Sequence, residues 1–137
     1  PDHITVGAAT DAAFGRFAGS GHPGFQRLVH GALPQSVFER WNARRLARGL
    51  EPFDPARIYH LRGVPDAEIG ITVDCRSVAH RIVAGLMQHK SQLHVLHDDP
   101  TDVARWAHIV GSEHLVVAWP PWHTSSTRLT DVFEGLS

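Results

Sequence analysis

Residues 68–93 read E-I-G-I-T-V-D-C-R-S-V-A-H-R-I-V-A-G-L-M-Q-H-K-S-Q-L, and the hydrophobic period changes inside them. Ile69, Ile71 and Val73 alternate, which predicts a strand over Glu68–Cys75. From Ser77 the apolar residues Val78, Ile82, Val83, Leu86 and Met87 recur at spacings of three and four, which predicts a helix over Ser77–Leu93. A period-2 segment feeding a period-3.6 segment marks the chain as α/β.

Downstream, Asp99-Pro100-Thr101-Asp102 predicts a helix start, with Asp99 as cap and Pro100 at the first helical position. That helix runs to Val110 and stops at Gly111. Glu113–Trp119 predicts a final strand broken by Pro120-Pro121, and Leu129–Phe133 a short helical patch. Upstream, Arg57–Arg62 reads as a short strand. Val37, Phe38, Trp41 and Leu46 predict a helix over Gln35–Arg48, ended by Gly49. Residues 19–34 hold Gly19, Gly21, Gly24, Gly31, Pro23 and Pro34, which is loop composition. Residues 4–18 form a helix with Val6, Ala9, Ala13 and Phe17 on one stripe. A parallel α/β sheet normally opens with a strand, whereas this chain opens with a helix. It therefore reads as the second half of a larger sheet.

At 137 residues and 15.1 kDa, with 42% apolar residues, one domain is expected. The net charge of -1 gives no bulk field toward nucleic acid or an anionic membrane. No apolar run approaches the ~20 residues of a membrane span. The single Cys75 excludes an internal disulfide framework and a thiolate-only zinc cage, as expected in a reducing, cytoplasmic setting. Twelve Arg against one Lys, with abundant Ala, resemble the coding bias of a GC-rich bacterium. The sequence opens at Pro1 and has Met87 as its only methionine, so a processed, cropped or fragmentary chain is expected.

Chemistry has few candidate sites. Pro1-Asp2-His3 stands where the first helix begins, and a strand-to-helix junction is where open α/β proteins place their sites. His3 suits a metal ligand there, with Asp2 as the neighbour that fixes its imidazole; the alternative is an exposed histidine at a chain end. Val78, Ile82, Gly85, His89 and Gln92 share a helical face, so His89 and Gln92 are expected buried. They would form either a structural polar pair or a pocket wall. Arg40, Arg44, Arg45 and Arg48 read as a solvated basic face or a ligand-binding one. His97-Asp98-Asp99 is better used for the cap at Asp99 than for a metal. His108, His114 and His123 lack partners at ligand spacing, and Cys75 reads as a structural thiol.

Four segments in register resemble the C-terminal half of the LmbE-like (PIG-L) family of zinc-dependent N-acetylglucosamine deacetylases. Pro1-Asp2-His3-Ile4-Thr5-Val6-Gly7 is similar to the family's H-P-D-H motif from its second position. Ile71-Thr72-Val73-Asp74 and then His89-Lys90-Ser91-Gln92-Leu93 resemble its strand, helix and Ser-Gln signature. Gly111-Ser112-Glu113-His114-Leu115-Val116-Val117 resembles its Glu-led strand. Leu129-Thr130-Asp131-Val132-Phe133-Glu134-Gly135-Leu136 is similar to its D-L-F-x-G-L tail.

The resemblance implies the C-terminal part of a Rossmann-like, three-layer sheet domain. It further implies a mononuclear zinc hydrolase that cleaves the linear amide C–N bond of an N-acetylated amino-sugar conjugate. His3 would be one zinc ligand and Asp2 a supporting catalytic residue. The other two ligands and the general base belong to an A-H-P-D-D-E motif that the chain lacks, so its partner would be the N-terminal half of the same protein. In the whole enzyme, zinc would lower the pKa of its water to roughly 7. Substrate contacts are expected from residues 19–56, with Trp41, Arg44 and Arg45 meeting sugar or acidic groups. Two alternatives stand beside this: a small non-catalytic α/β binding module, and an amide hydrolase of the same superfamily acting on a thiol conjugate.

Overall fold

A computed structural model describes residues 2–57, 60–92 and 103–136. The order is α1 (Asp2–Phe17), β1 (Leu28–Gly31), α2 (Gln35–Ala47), β2 (Ile71–Asp74), α3 (Ala79–Leu86), α4 (Val103–Ile109) and β3 (Ser112–Trp119). The chain is mixed α/β, as the change of period predicts.

The three strands form one antiparallel sheet in the order β1-β3-β2. Ile71 lies opposite Leu115 and Val73 opposite Glu113, while Val29 faces Val117 and Gly31 faces Leu115. Parallel pairing is confined to two isolated bridges among the described residues, Pro34 with Val64 and Ile71 with Leu129. The strong central strand is β3, whose Leu115 and Val117 point to one face by alternation. With Ile71 they make the core. Val29, Val73, Trp122, Leu129 and Val132 pack against them, so the segment after β3 folds back over the sheet. Gly70 makes that closeness possible: a Cβ there would lie 2.8 Å from Val117 Cγ2 and 3.1 Å from the Trp122 ring.

Helix α2 behaves as local signals require. Gly49, at φ +71°, closes it. The Leu50 N–H donates to the Arg45 carbonyl and the Gly49 N–H to that of Leu46, a paired closure that needs a left-handed residue. At the other end Pro34 offers no capping side chain, and the first N–H groups turn to residues far along the chain. Gln35 N–H donates to the Val64 carbonyl at 2.7 Å, and Ser36 N–H to Asp66 Oδ1 at 3.0 Å.

Several expectations are corrected. Residues 19–34 contain β1, a four-residue edge strand that Gly and Pro composition conceals. Residues 60–62 form no strand, and Ile58 and Tyr59 lie outside the described residues. The expected helix over Ser77–Leu93 is α-helical only from Ala79 to Leu86. Past Gly85 the ladder tightens: Gln88 N–H donates to Gly85 and His89 N–H to Leu86, three residues back instead of four. This rotates His89 away from the inner face. It is exposed, nothing approaches Gly85, and the buried positions of α3 are Ala79 and Val83. The Gln92 side chain, the expected helix start at Asp99-Pro100, and His97-Asp98-Asp99 lie outside the described residues. Leu129–Phe133 is a bridge and turns, not a helix.

Helix α1 has the expected extent and an unexpected face. Phe14 is its buried residue, meeting Phe25 edge-on at 5.9 Å, while Phe17 stacks on Phe25 at 5.1 Å. The predicted stripe turns outward: Val6 is 64% exposed, Phe17 46%, and neighbouring Ile4 79%. No described helix is long and apolar enough to cross a membrane.

Candidate functional site

Asp2 and His3 fall in the first turn of α1. Their side chains lie outside the described residues. Farther along α1, the Asp11 carboxylate meets His30 Nε2 of β1 at 3.2 Å, an exposed pair. Among the described residues, no three His, Cys, Asp or Glu side chains gather closely enough to hold a metal ion. A hydrolytic zinc site needs three protein donors and an open position. The described residues supply no such donor set.

The residues that do converge lie between α2 and the entry to β3. A groove of about 410 Å3 opens there. Its helical wall carries Val37, Arg40, Trp41 and Arg44, which share a face at the spacing three, four, seven. Its opposite wall is Ser112, Glu113 and His114. Arg40 and Arg44 are exposed and Trp41 is half-buried. Neither guanidinium forms a hydrogen bond or ion pair with another described residue.

His114 is the polar floor. Its Nδ1 lies 3.1 Å from Thr72 Oγ1, the residue opposite it across β2 and β3. Burial, reinforced by the nearby Arg128 and Arg40 charges, pulls its pKa below the usual histidine value. Arg128 is itself a tie, donating to the Ile69 carbonyl at 3.0 Å and the Asp66 carbonyl at 2.7 Å.

The arginines of α2 divide into two kinds. Arg44 faces the groove with Trp41, as the expected substrate contacts do. Arg45 does not: its guanidinium sits 4.4 Å from the Phe53 ring, and its Nε donates to the Glu51 carbonyl at 2.7 Å. Asn42 completes this clip, bonding both the N–H and the carbonyl of Phe53. Arg45 therefore fastens the segment after the helix.

A second concavity, of about 500 Å3, lies against Val29, Val132 and Phe133. Its arginine is already engaged. Arg27 donates to the Val132 carbonyl at 2.7 Å and the Glu134 carbonyl at 2.8 Å, clasping the chain end. Cys75 is half-buried, with its Sγ 3.7 Å from the Val73 carbonyl.

Composition of residues 19–56 points to Trp41 and Arg44, and the structure adds that they share a helical face with Val37 and Arg40. Composition misses Glu113 and His114 as their partners, because strand register alone brings that wall to the helix. The chain matches no family model, no curated protein and no solved structure.

Proposed function

We propose that residues 1–137 are the C-terminal portion of a zinc-dependent deacetylase that removes the acetyl group from an N-acetylglucosaminyl conjugate. The observation that carries it is the Pro1-Asp2-His3 motif running straight into α1, a helix whose apolar side chains Ile4, Val6 and Phe17 stand exposed. A motif-bearing helix with an open apolar stripe suits a domain completed by further chain. The fold that goes with the proposal is a three-layer Rossmann-like domain, with the antiparallel sheet as one border of it, in a cytoplasmic protein.

His3 supplies one metal donor and Asp2 holds its imidazole. The remaining donors and the base come from the N-terminal half of the same protein. In this reading the hydrolytic steps belong to the intact protein. The test is made on that protein, expressed from its gene, by metal analysis and by acetate release from N-acetylglucosaminyl and thiol-conjugate amides. His3→Ala should lose most zinc and activity. Full zinc and full turnover in that variant end the proposal, and cleavage of the thiol conjugate alone shifts it to the superfamily alternative.

The non-catalytic alternative has one observation in its favour. The groove between α2 and β3 is lined by described residues of α2, the loop before it, α4 and β3.

A further inference from the structure

We propose that this groove binds a sugar phosphate, with the phosphate held by Arg40 and Arg44 and the sugar ring laid on Trp41. The inference deepens the expectation that Trp41 and Arg44 meet sugar or acidic groups, and it is tested apart from hydrolysis because the described lining residues lie on α2, the loop before it, the end of α4 and β3.

The helical wall is chemically out of place for a structural surface. Positions three, four and seven along an inward helical stripe are ordinarily apolar. Here two of them are arginines, Arg40 and Arg44, and they look into a groove. Arginines elsewhere in the fold hold backbone: Arg27, Arg45 and Arg128 each donate to carbonyls. Arg40 and Arg44 donate to no carbonyl or carboxylate among the described residues, although the Arg40 charge is felt at Asp66 and His114.

Two guanidiniums one helical turn apart, about 6 Å along the axis, can converge on a single phosphate. Guanidinium is the group best matched to it, with planar paired donors and permanent charge. Their two positive charges balance one phosphate dianion.

The far wall is polar. Ser112 and His114 share one side of β3 by alternation and offer hydrogen-bonding groups to sugar hydroxyls. His114, kept neutral by burial, adds no charge to that wall. The half-buried Trp41 presents an apolar plate between the two walls. One anionic end, an apolar face and a hydroxyl-rich edge describe a phosphorylated monosaccharide. About 410 Å3 falls within the range of small-molecule sites.

The test is calorimetric titration of the intact protein with glucose 6-phosphate, glucose 1-phosphate and glucosamine 6-phosphate, and with glucose and inorganic phosphate as controls. At least one phosphosugar should bind. Glucose should give no heat, and inorganic phosphate should bind at least ten-fold more weakly. Arg44→Gln should weaken the phosphosugar at least ten-fold with an unchanged melting temperature, because Arg44 is exposed and unbonded among the described residues. Trp41→Leu should weaken the phosphosugar and leave inorganic phosphate unaffected. Repeating the titration in His3→Ala keeps the result separate from hydrolysis, and binding there should be unchanged. Absence of binding by all three phosphosugars overturns the proposal. So do equal affinity for inorganic phosphate and undiminished binding in a folded Arg44→Gln.

Discussion

Asp66 caps helix α2 from 30 residues away, its Oδ1 accepting the Ser36 backbone N–H at 3.0 Å. Helix N-termini leave four N–H groups without intrahelical partners, and a carboxylate there is also favoured by the helix dipole. Pro34 cannot serve as the cap, so the helix that walls the groove is anchored by a distant loop. That loop is itself tied to the chain end by Arg128.

A pH dependence follows from this contact. Its hydrogen bonds with Ser36, and then the Arg128 and Arg40 charges, hold the Asp66 carboxyl below its usual value. A depressed folded-state pKa contributes stability that is fully present above the unfolded value, about 3.9, and is lost as pH falls through the folded one. Thermal melts from pH 7 down to pH 2 should show Asp66→Ala less stable than the parent at neutral pH. The difference should close at the acid end. Equal melting temperatures at pH 7 would refute the cap.

His114 titrates in the opposite chemical sense with the same sign of linkage. Its folded-state pKa is lowered, mainly by burial, so the folded protein takes up its proton less readily than the unfolded chain. The stability it contributes is complete above about 6.5 and falls as pH drops from there through the folded value. Imidazole proton resonances should place the His114 midpoint below the ordinary histidine value of about 6.5. A midpoint at or above that value would contradict the burial.

Two glycines should be sensitive for different reasons. Gly49 sits at φ +71° with open space around it, so Gly49→Ala should cost about 1–2 kcal/mol through backbone conformation alone. Gly70 is crowded by Val117 and Trp122, so Gly70→Ala should cost about 1–3 kcal/mol through overpacking. Urea denaturation measures both. A Gly70→Ala protein as stable as the parent would show that the 120–136 segment yields without loss.

The outward stripe of α1 separates the chain alone from a larger protein. In residues 1–137 by themselves, Val6→Ser should leave stability within about 0.5 kcal/mol and reduce light scattering. In the intact protein the same change should destabilise by about 1–3 kcal/mol if Val6 is covered there. A neutral effect in both would mean that α1 faces water in each.

The sequence by itself determined the extents of α1 and α2, the existence of β2 and β3 and the mixed class. A helix closes bonds four residues apart, and the left-handed stop at Gly49 depends on its own φ. Such signals lie within a few residues and can be read there. Tertiary structure decided what distance along the chain conceals. Leu28–Gly31 is a strand only because β3, far along the chain, supplies its partner groups. The antiparallel order β1-β3-β2 follows from that pairing, which the order of elements along the chain does not specify. Arg44 and Arg45 are adjacent and alike in sequence, yet one lines the groove while the other rests on Phe53. The return of the segment after α2 made that division. Glu113 and His114 entered the groove through strand register, and Asp66 became a cap through loop docking; neither leaves a periodic trace in the residues beside it.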